Sequence, residues 1–215
     1  MPSTRDQRPY NVRYYQRNRE REIDRVMTRQ RATLEFLRDL RRVPCMDCGG
    51  TFQPHQMDFD HREPAEKEFN LTSSRAMLVS RERLLLELAK CEIVCANCHA
   101  VRTFALQSDR LAARRARGEL LTTNRSALMR RHSAPKRDLL LALRARPCHD
   151  CGITYPPIVM QFDHRDPSGK SFNVAQSWCR ATDAVLKEAA KCDIVCRNCH
   201  RDRTFRRRQP QAGVL

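Results

Sequence analysis

FDHREP at residues 59–64 returns as FDHRDP at residues 162–167, an offset of 103. The agreement extends to both sides of this phrase. PCMDCG at 44–49 pairs with PCHDCG at 147–152 at the same offset, and KCEIVCANCH at 90–99 pairs with KCDIVCRNCH at 191–200 at an offset of 101. Matched spacing over several blocks is typical of an internal repeat. The chain is therefore a tandem duplication, in which the second copy is two residues shorter between the last two blocks.

Each copy carries two Cys-x2-Cys pairs, separated by 46 residues in the first copy and 44 in the second. Four thiolates from two such pairs can surround a zinc ion tetrahedrally, and four sulfur ligands leave no open position for a substrate. We expect one structural zinc in each copy. The predicted ligands are Cys45, Cys48, Cys95 and Cys98 for one ion, and Cys148, Cys151, Cys196 and Cys199 for the other. Disulfides are the alternative, disfavoured because no apolar signal segment follows the N-terminal residues.

Composition and charge narrow the class of protein. Of the 215 residues, 40% are hydrophobic and only 6% are aromatic, so the cores should be small and need support from metal. The formal net charge of +16 predicts a polyanionic partner, nucleic acid well ahead of an anionic membrane surface. A solubilising charged face is the alternative. No apolar run is long enough to cross a bilayer, and we expect a reduced, cytoplasmic protein.

The predicted fold class is α+β and helix-rich. Apolar residues at three- and four-residue spacing predict a helix before each copy, ended by Pro44 and by Pro147. Alternation in MDFDH at 57–61 and in MQFDH at 160–164 predicts a strand that ends at the Asp-His pair, and each Ile-Val should form a second short strand.

Two more helices are expected in each copy. One runs into Lys90 or Lys191, with Ser80 as its N-cap in the first copy and Thr182 or Asp183 in the second. The other begins near each Asn-Cys-His and continues in the first copy to Gly118. The predicted segments are a basic N-terminal helix (1–42), a first unit (43–117), a polar and basic linker that ends in Pro135 (118–135), a second unit with its leading helix (136–205) and a basic, frayed tail (206–215).

The combined pattern PCxDCG, FDHR[ED]P, KxFN and KC[ED]IVCxNCHxxRT resembles the HNH endonucleases, especially small phage and bacterial members with a four-cysteine zinc clamp. The likeness covers roughly residues 43–104 and 146–205. It implies two ββα-metal units, each braced by its zinc and each holding one divalent ion, Mg²⁺ or Mn²⁺, against the DNA backbone. The implied reaction is phosphodiester hydrolysis, in which a neutral imidazole takes a proton from water and the ion offsets charge on the phosphate.

The resemblance assigns three roles in each copy. They are general base for His61 and His164, acidic metal ligand for Asp60 and Asp163, and second metal ligand for His99 and His200.

The middle Asn of the HNH pattern has two candidates in each copy, because lysines stand about where most members have it. We favour Asn97 and Asn198, between the last two cysteines of each copy, with helix capping as an equally good role. Asn70 and Asn173 are the other candidates, and turn residues are the alternative for them.

Arginine runs with few acids predict phosphate contacts that position DNA without reading its sequence. The expected contact residues are Arg102, Arg114, Arg115, Arg203, Arg206 and Arg207, together with Lys67 and Lys170, for which ordinary solvated lysines are the alternative.

The leading hypothesis is a metal-dependent endonuclease that acts on double-stranded DNA, whose two units cut both strands from one monomeric chain. The alternative is a non-catalytic, zinc-dependent DNA-binding or accessory protein that keeps the HNH scaffold. RNA as the substrate remains open.

Overall fold

A computed structural model describes residues 8–73, 76–119, 124–177 and 180–209. The helices and strands are α1 (Arg8–Leu40), β1 (Met57–His61), α2 (Arg81–Leu88), β2 (Cys91–Cys95), α3 (Ala96–Ala116), α4 (Asn124–Arg144), β3 (Met160–His164), α5 (Thr182–Ala189), β4 (Cys192–Cys196) and α6 (Arg197–Arg208). Each copy follows the order helix, strand, helix, strand, helix. The helix-rich α+β class and the duplication are confirmed.

Each copy contains one two-stranded sheet, β1 with β2 and β3 with β4. The second pair is antiparallel, and Met160 lies opposite Cys196 while His164 lies opposite Cys192. His61 and His164 are the last residues of β1 and β3, as the sequence predicted. The following helix begins directly after each second strand, so each copy places a strand pair beside a helix that carries Asn-Cys-His in its first turn.

The chain forms two compact units that differ from the predicted segments. Unit 1 comprises Met1–Val43 and Phe59–Glu92, and unit 2 comprises Pro44–Asp58 and Ile93–Leu215. The division therefore cuts through the first copy instead of falling in 118–135. One physical reason lies inside unit 2, where Ala100 of α3 packs in the same apolar cluster as Val159 and Met160 of the second copy.

Unit 1 is built around the C-terminal part of α1. Leu37 is buried with Phe69, Leu71 and Leu84 in one apolar cluster. The guanidinium of Arg81 lies 3.2 Å from the centre of the Phe36 ring, a cation–π contact that joins α2 to α1. α1 ends at Leu40, four residues before Pro44. This agrees with the prediction, because a proline cannot continue a helix.

Unit 2 repeats part of this packing around α4. Leu140, the counterpart of Leu37, is buried with Val174, Val185 and Cys192. The side chain of Arg144 lies over the Phe162 ring at 5.9 Å. Another apolar cluster of unit 2 contains Cys45 and Cys95 of the first four-cysteine group. These small cores agree with the low aromatic content of the chain.

α4 begins at Asn124, inside the predicted linker 118–135, and runs through Pro135. The leucine- and arginine-rich residues around Pro135 favour helix enough to outweigh the N–H that proline lacks. One local prediction was wrong. Thr182 is the first residue of α5 and its N-cap is Ala181, which offers no side-chain acceptor. Ser80 does cap α2, by accepting a hydrogen bond from the backbone N–H of Arg83. The tail is helical to Arg208, and 210–215 lie outside the described residues.

Candidate functional site

The eight predicted zinc ligands form two clusters in unit 2. Within each cluster, the Sγ atoms lie within 4.8 Å of one another. In both, the first and third cysteines are buried, the second is exposed and the fourth is half-buried. The clusters are Cys45, Cys48, Cys95 and Cys98, and Cys148, Cys151, Cys196 and Cys199. The predicted four-cysteine sites, each able to hold a structural zinc, are thus assembled.

Backbone N–H groups donate hydrogen bonds to cysteine sulfurs in both clusters, which stabilises the thiolate form. The N–H of Cys95 donates to Sγ of Cys45, and the N–H of Cys196 donates to Sγ of Cys148, both at 3.2 Å. Burial raises the pKa of Cys45, but backbone donors outweigh it and lower the pKa to about 7 from 9.0. Gly49 takes a left-handed φ of 66°, which allows the tight turn that brings Cys45 and Cys48 together. The donor set and its surroundings fit zinc.

Two further cysteines stay outside the clusters. The thiols of Cys91 and Cys192 donate to the backbone oxygens of Glu87 and Glu188. Burial raises the pKa of each to about 11. Cys192 is buried and Cys91 half-buried, and both contribute to packing.

The two predicted general bases lie in separate but similar buried surroundings. Nε2 of His61 lies 2.7 Å from Oε1 of Glu87, and Nε2 of His164 lies 2.8 Å from Oε1 of Glu188. All four side chains are buried, with at most 7% of their surface exposed. Because an ionised carboxylate only accepts hydrogen bonds, Nε2 donates the shared proton, which leaves Nδ1 as the ring nitrogen that can accept one.

Each of these glutamates is held in the ionised form. Burial raises the pKa of Glu87, but Lys90, His61 and two backbone N–H groups lower it to about 2. Lys191 is the main cause of the same lowering at Glu188, to about 2. Lys90 and Lys191 each lie 2.8 Å from the second carboxylate oxygen. These glutamates were not among the predicted site residues, although ELAKC at 87–91 and EAAKC at 188–192 repeat them in register.

In the second copy, arginine side chains bind both carboxylate oxygens of Asp163, the predicted acidic metal ligand. Asp163 is buried, and its Oδ1 accepts a hydrogen bond from Nη1 of Arg207 at 2.9 Å. Its Oδ2 accepts bonds from Arg203 at 2.8 Å and from Arg207 at 2.9 Å. Burial raises the pKa of Asp163, but these partners outweigh it and lower the pKa. His200 Nε2 is 3.5 Å from Asp163 Oδ1. In this arrangement the residues do not fit a divalent cation, because two guanidinium groups already neutralise the carboxylate.

In the first copy, His99 is the second predicted metal ligand, and it contacts the carboxylate of Asp58. His99 Nδ1 lies 2.8 Å from Oδ2 of Asp58, a residue that the sequence analysis did not single out. Arg201 of α6 donates to both carboxylate oxygens of Asp58, at 2.8 and 2.7 Å. Burial raises the pKa of Asp58, but His99 and Arg201 lower it to about 2. The ionised Asp58 therefore accepts the Nδ1 proton of His99. Metal-binding histidines commonly donate their other ring N–H to a carboxylate in this way.

The two asparagines predicted for the middle HNH role contact each other. Oδ1 of Asn198 accepts the backbone N–H of Asn97 at 3.2 Å, and Oδ1 of Asn97 accepts that of Asn198 at 3.0 Å. Both residues are buried in the first turns of α3 and α6. This arrangement matches the capping alternative, with each side chain capping the other helix. Asn70 and Asn173 stabilise turns by accepting the N–H two residues ahead.

A cavity of about 300 Å³ lies beside the second-copy histidines. His164 and His200 both line it, together with Lys170, Arg144 and Arg197. Burial lowers the pKa of both arginines, and each is lowered further by a neighbouring arginine. Half-buried cations that repel one another favour an anion between them.

Most of the predicted DNA-contact arginines also have carboxylate partners. Arg102 bonds to Asp47 at 2.8 Å. Arg203 bonds to Asp150, Asp163 and Asp193. Arg206 pairs with Asp202, and Arg114 approaches Glu119 at 3.8 Å. Arg115 and Lys67 are exposed.

The sequence matches no model of a known protein family, and no curated protein or solved structure is significantly similar to it. No helix in the described parts of the chain combines the length and apolarity needed to cross a membrane.

Proposed function

We propose that this protein is a metal-dependent DNA endonuclease of the HNH type. The observation that carries the proposal is the repeated, buried contact between His61 and Glu87 and between His164 and Glu188, at 2.7 and 2.8 Å. Each histidine ends the first strand of its copy, the position that the HNH resemblance gives to the general base. An ionised glutamate fixes the ring and its tautomer, so that Nδ1 is the atom that accepts a proton from water.

The surroundings of His164 support a phosphate-containing substrate. The cavity that it lines with His200 is bordered by the three cationic side chains Lys170, Arg144 and Arg197. A phosphodiester placed there relieves the repulsion between the arginines. The net charge of +16 adds long-range attraction to DNA, which weakens as salt rises.

Metal chemistry enters at two levels in this proposal. The four-cysteine clusters hold structural zinc and brace the elements that carry the histidines. At the reaction centre, a divalent ion such as Mg²⁺ or Mn²⁺ supplies Lewis acidity that offsets charge on the scissile phosphate. The ligands that the HNH resemblance gives to that ion are an aspartate and the histidine that follows the last cysteine of a copy. His61 holds and moves the proton at Nδ1, and Glu87 stabilises the imidazolium that results.

Plasmid cleavage tests the proposal. The purified full-length chain, loaded with zinc, should nick or cut supercoiled plasmid when Mg²⁺ or Mn²⁺ is added, and should not do so in their absence. The double variant His61→Ala/His164→Ala should lose cutting while its zinc content stays at the wild-type level. Absence of cleavage with every divalent ion, despite full zinc content and measurable DNA binding, would contradict the proposal.

A second candidate function is non-catalytic DNA binding, which one observation favours. Both carboxylate oxygens of Asp163 are occupied by Arg203 and Arg207, so the second copy as it stands resembles a scaffold without its catalytic ion. This candidate predicts DNA binding that is independent of Mg²⁺ and Mn²⁺, with no cleavage products.

A further inference from the structure

Lys90 and Lys191 occupy the same place in the two copies, directly before β2 and β4. Each pairs with the glutamate that contacts the histidine of its own copy, through the carboxylate oxygen that the histidine does not use. Each buried carboxylate therefore bridges one imidazole and one ammonium group. The endonuclease proposal uses the histidine and the glutamate, and it leaves the lysine without a role.

In the first copy, Lys90 binds both Glu87 and the loop that follows β1. Its Nζ lies 2.8 Å from Oε2 of Glu87 and donates to the backbone oxygen of Glu66 at 3.1 Å. Oε1 of Glu87, which contacts His61, also accepts the backbone N–H of Glu68 at 2.9 Å. The hydrogen bond to Glu87 raises the pKa of Lys90, which keeps the ammonium group charged. One ion pair thus contacts both the histidine and the loop.

The second copy repeats these contacts. Nζ of Lys191 lies 2.8 Å from Oε2 of Glu188 and donates to the backbone oxygen of Gly169 at 3.1 Å. Oε1 of Glu188 contacts His164 and accepts the backbone N–H of Ser171 at 2.8 Å. The Ser171 hydroxyl also accepts a bond from Lys191 at 3.3 Å, at a position where the first copy has a glutamate 3.6 Å from its lysine. The arrangement is therefore kept although this side chain differs.

The loop held in this way carries the lysines predicted to contact phosphate. Lys67 and Lys170 each lie between the two residues whose backbone groups bind the ion pair. Both lysines are exposed. Lys170 lines the cavity of about 300 Å³ together with His164. In each copy, one ion pair thus fixes the backbone on both sides of a predicted phosphate-binding residue.

The lysines also balance charge at the glutamates. The side chains of Glu87 and Glu188 are only 1% and 3% exposed, and an ionised carboxylate at such burial is costly without a cation. Lys90 and Lys191 supply this cation from the edge of the protein, where 27% and 46% of their side chains are exposed. Removing the ammonium group takes away the donor to Oε2, so the carboxylate can turn away from the histidine.

We propose that Lys90 and Lys191 are positioning residues of the endonuclease reaction: each ammonium group holds the general-base histidine, through its glutamate, in a fixed relation to the loop that carries the phosphate-binding lysine. This inference rests on the proposed function. It adds that proton transfer and phosphate binding are coupled within each copy through one ion pair.

Kinetics of plasmid cleavage test this coupling. Zinc-loaded Lys90→Met/Lys191→Met protein with Mn²⁺ should lose about tenfold or more in kcat, because misplacement of a reacting group is costly. Its KM for DNA should rise as well, because the loop is released. Lys187→Met is the matched control, since it removes an exposed lysine from the same helix as Glu188 and should leave kcat unchanged.

Two further pairs of variants separate the coupled effects. Glu87→Gln/Glu188→Gln should act mainly on kcat, because these residues contact the histidines. Lys67→Met/Lys170→Met should act mainly on KM. Only removal of the linking lysines should change both constants together. A lysine that merely stabilises the fold would change neither constant at temperatures where the variant stays folded.

Proton exchange gives a readout that is independent of cleavage. In zinc-loaded protein labelled with ¹⁵N-histidine, the buried Nε2 protons of His61 and His164 should exchange slowly with water. Exchange should accelerate about tenfold or more in Lys90→Met/Lys191→Met, because the carboxylates are no longer held. Backbone amides of β2 and β4 should keep their protection, which separates loss of positioning from loss of the fold.

Lys90→Gln/Lys191→Gln is the second pair of variants for the case that the methionine variants lose zinc. Glutamine keeps an N–H donor without the charge, so both kinetic changes should appear at smaller size. The inference fails if a zinc-replete methionine or glutamine pair keeps the wild-type kcat and KM, or if the ring protons exchange at the wild-type rate. Absence of cleavage in the wild type would instead remove the endonuclease proposal, and proton exchange would still decide whether the lysines hold the histidines.

Discussion

Asn97 and Asn198 cap each other's helices: the side-chain oxygen of each accepts the backbone N–H of the other, at 3.2 and 3.0 Å. Each residue stands between the last two cysteines of its copy. The reciprocal contact is therefore an approximate two-fold relationship between the copies, made by the residues that follow the second strands. It links the folding of one zinc clamp to that of the other.

Replacing either asparagine should destabilise unit 2. Asn97→Ala leaves the backbone N–H of Asn198 buried without an acceptor, which should lower the free energy of unfolding by about 1–3 kcal/mol. Urea denaturation of the zinc-loaded protein measures this. Asn97→Asp keeps the accepting oxygen and should cost less than Asn97→Ala. Because both bonds belong to one contact, the double alanine variant should cost less than the sum of the single variants. Fully additive costs would show that the bonds are energetically separate.

Zinc should be required for the fold, with one ion for each cluster. Cys95→Ser removes a buried ligand of the first cluster and should halve the zinc content measured by atomic emission, with a cooperative loss of stability. Cys91→Ser is the matched control, because its thiol lies outside the cluster and bonds to the backbone of Glu87. It should keep full zinc content. Equal loss of zinc in both variants would contradict the ligand assignment.

Acid should weaken the fold through Glu87 and Glu188. Their pKa values are lowered from 4.5 to about 2, so the folded state binds fewer protons than the unfolded state between these limits. The stabilisation from the ionised carboxylates is complete above pH 4.5 and is lost as the pH falls toward 2. The difference in unfolding free energy between wild type and Glu87→Gln/Glu188→Gln should therefore shrink over this range.

The glutamine variants also control for loss of zinc in acid, because both proteins carry the same clusters. A stability difference that stays constant from pH 7 to pH 3 would show that the two carboxylates are not ionised in the fold.

The contact between Arg201 and Asp58 should influence the first copy from the second. Arg201→Ala removes both hydrogen bonds to Asp58, which loosens the carboxylate that orients His99. Loss of such supporting contacts commonly costs about 10–100-fold in metal affinity or activity. We expect a loss of that size in Mn²⁺ affinity and in nicking, with zinc content unchanged. Arg208→Ala removes an equal charge and should have a much smaller effect on Mn²⁺ affinity.

Local patterns were sufficient for several features of the fold and site. The spacing of Cys45, Cys48, Cys95 and Cys98 predicted one cluster, because two Cys-x2-Cys pairs are typical of a zinc site. The alternation in 57–61 located the strand that ends at His61. Repetition doubled each of these signals.

Other features depend on contacts that local sequence does not encode. Glu87 lies in a helix rich in charged residues, so nothing in its own segment distinguishes it from a surface glutamate, although it is only 1% exposed. Asp58 is matched by the uncharged Gln161 in the second copy, and its partner Arg201 is 143 residues away. The reciprocal contact of Asn97 with Asn198 likewise spans 101 residues.

The one-sided pairing of Asp58 with Arg201 has an evolutionary meaning. In a symmetric homodimer, any residue that improves one end of an interface appears at the other end as well. Joining both partners in a single gene removes that constraint, and here a carboxylate and an arginine meet at one end while Gln161 and Ala100 occupy the equivalent positions. Pairing either half with its own duplicate would lose the ion pair, so fusion has made the halves specific for each other.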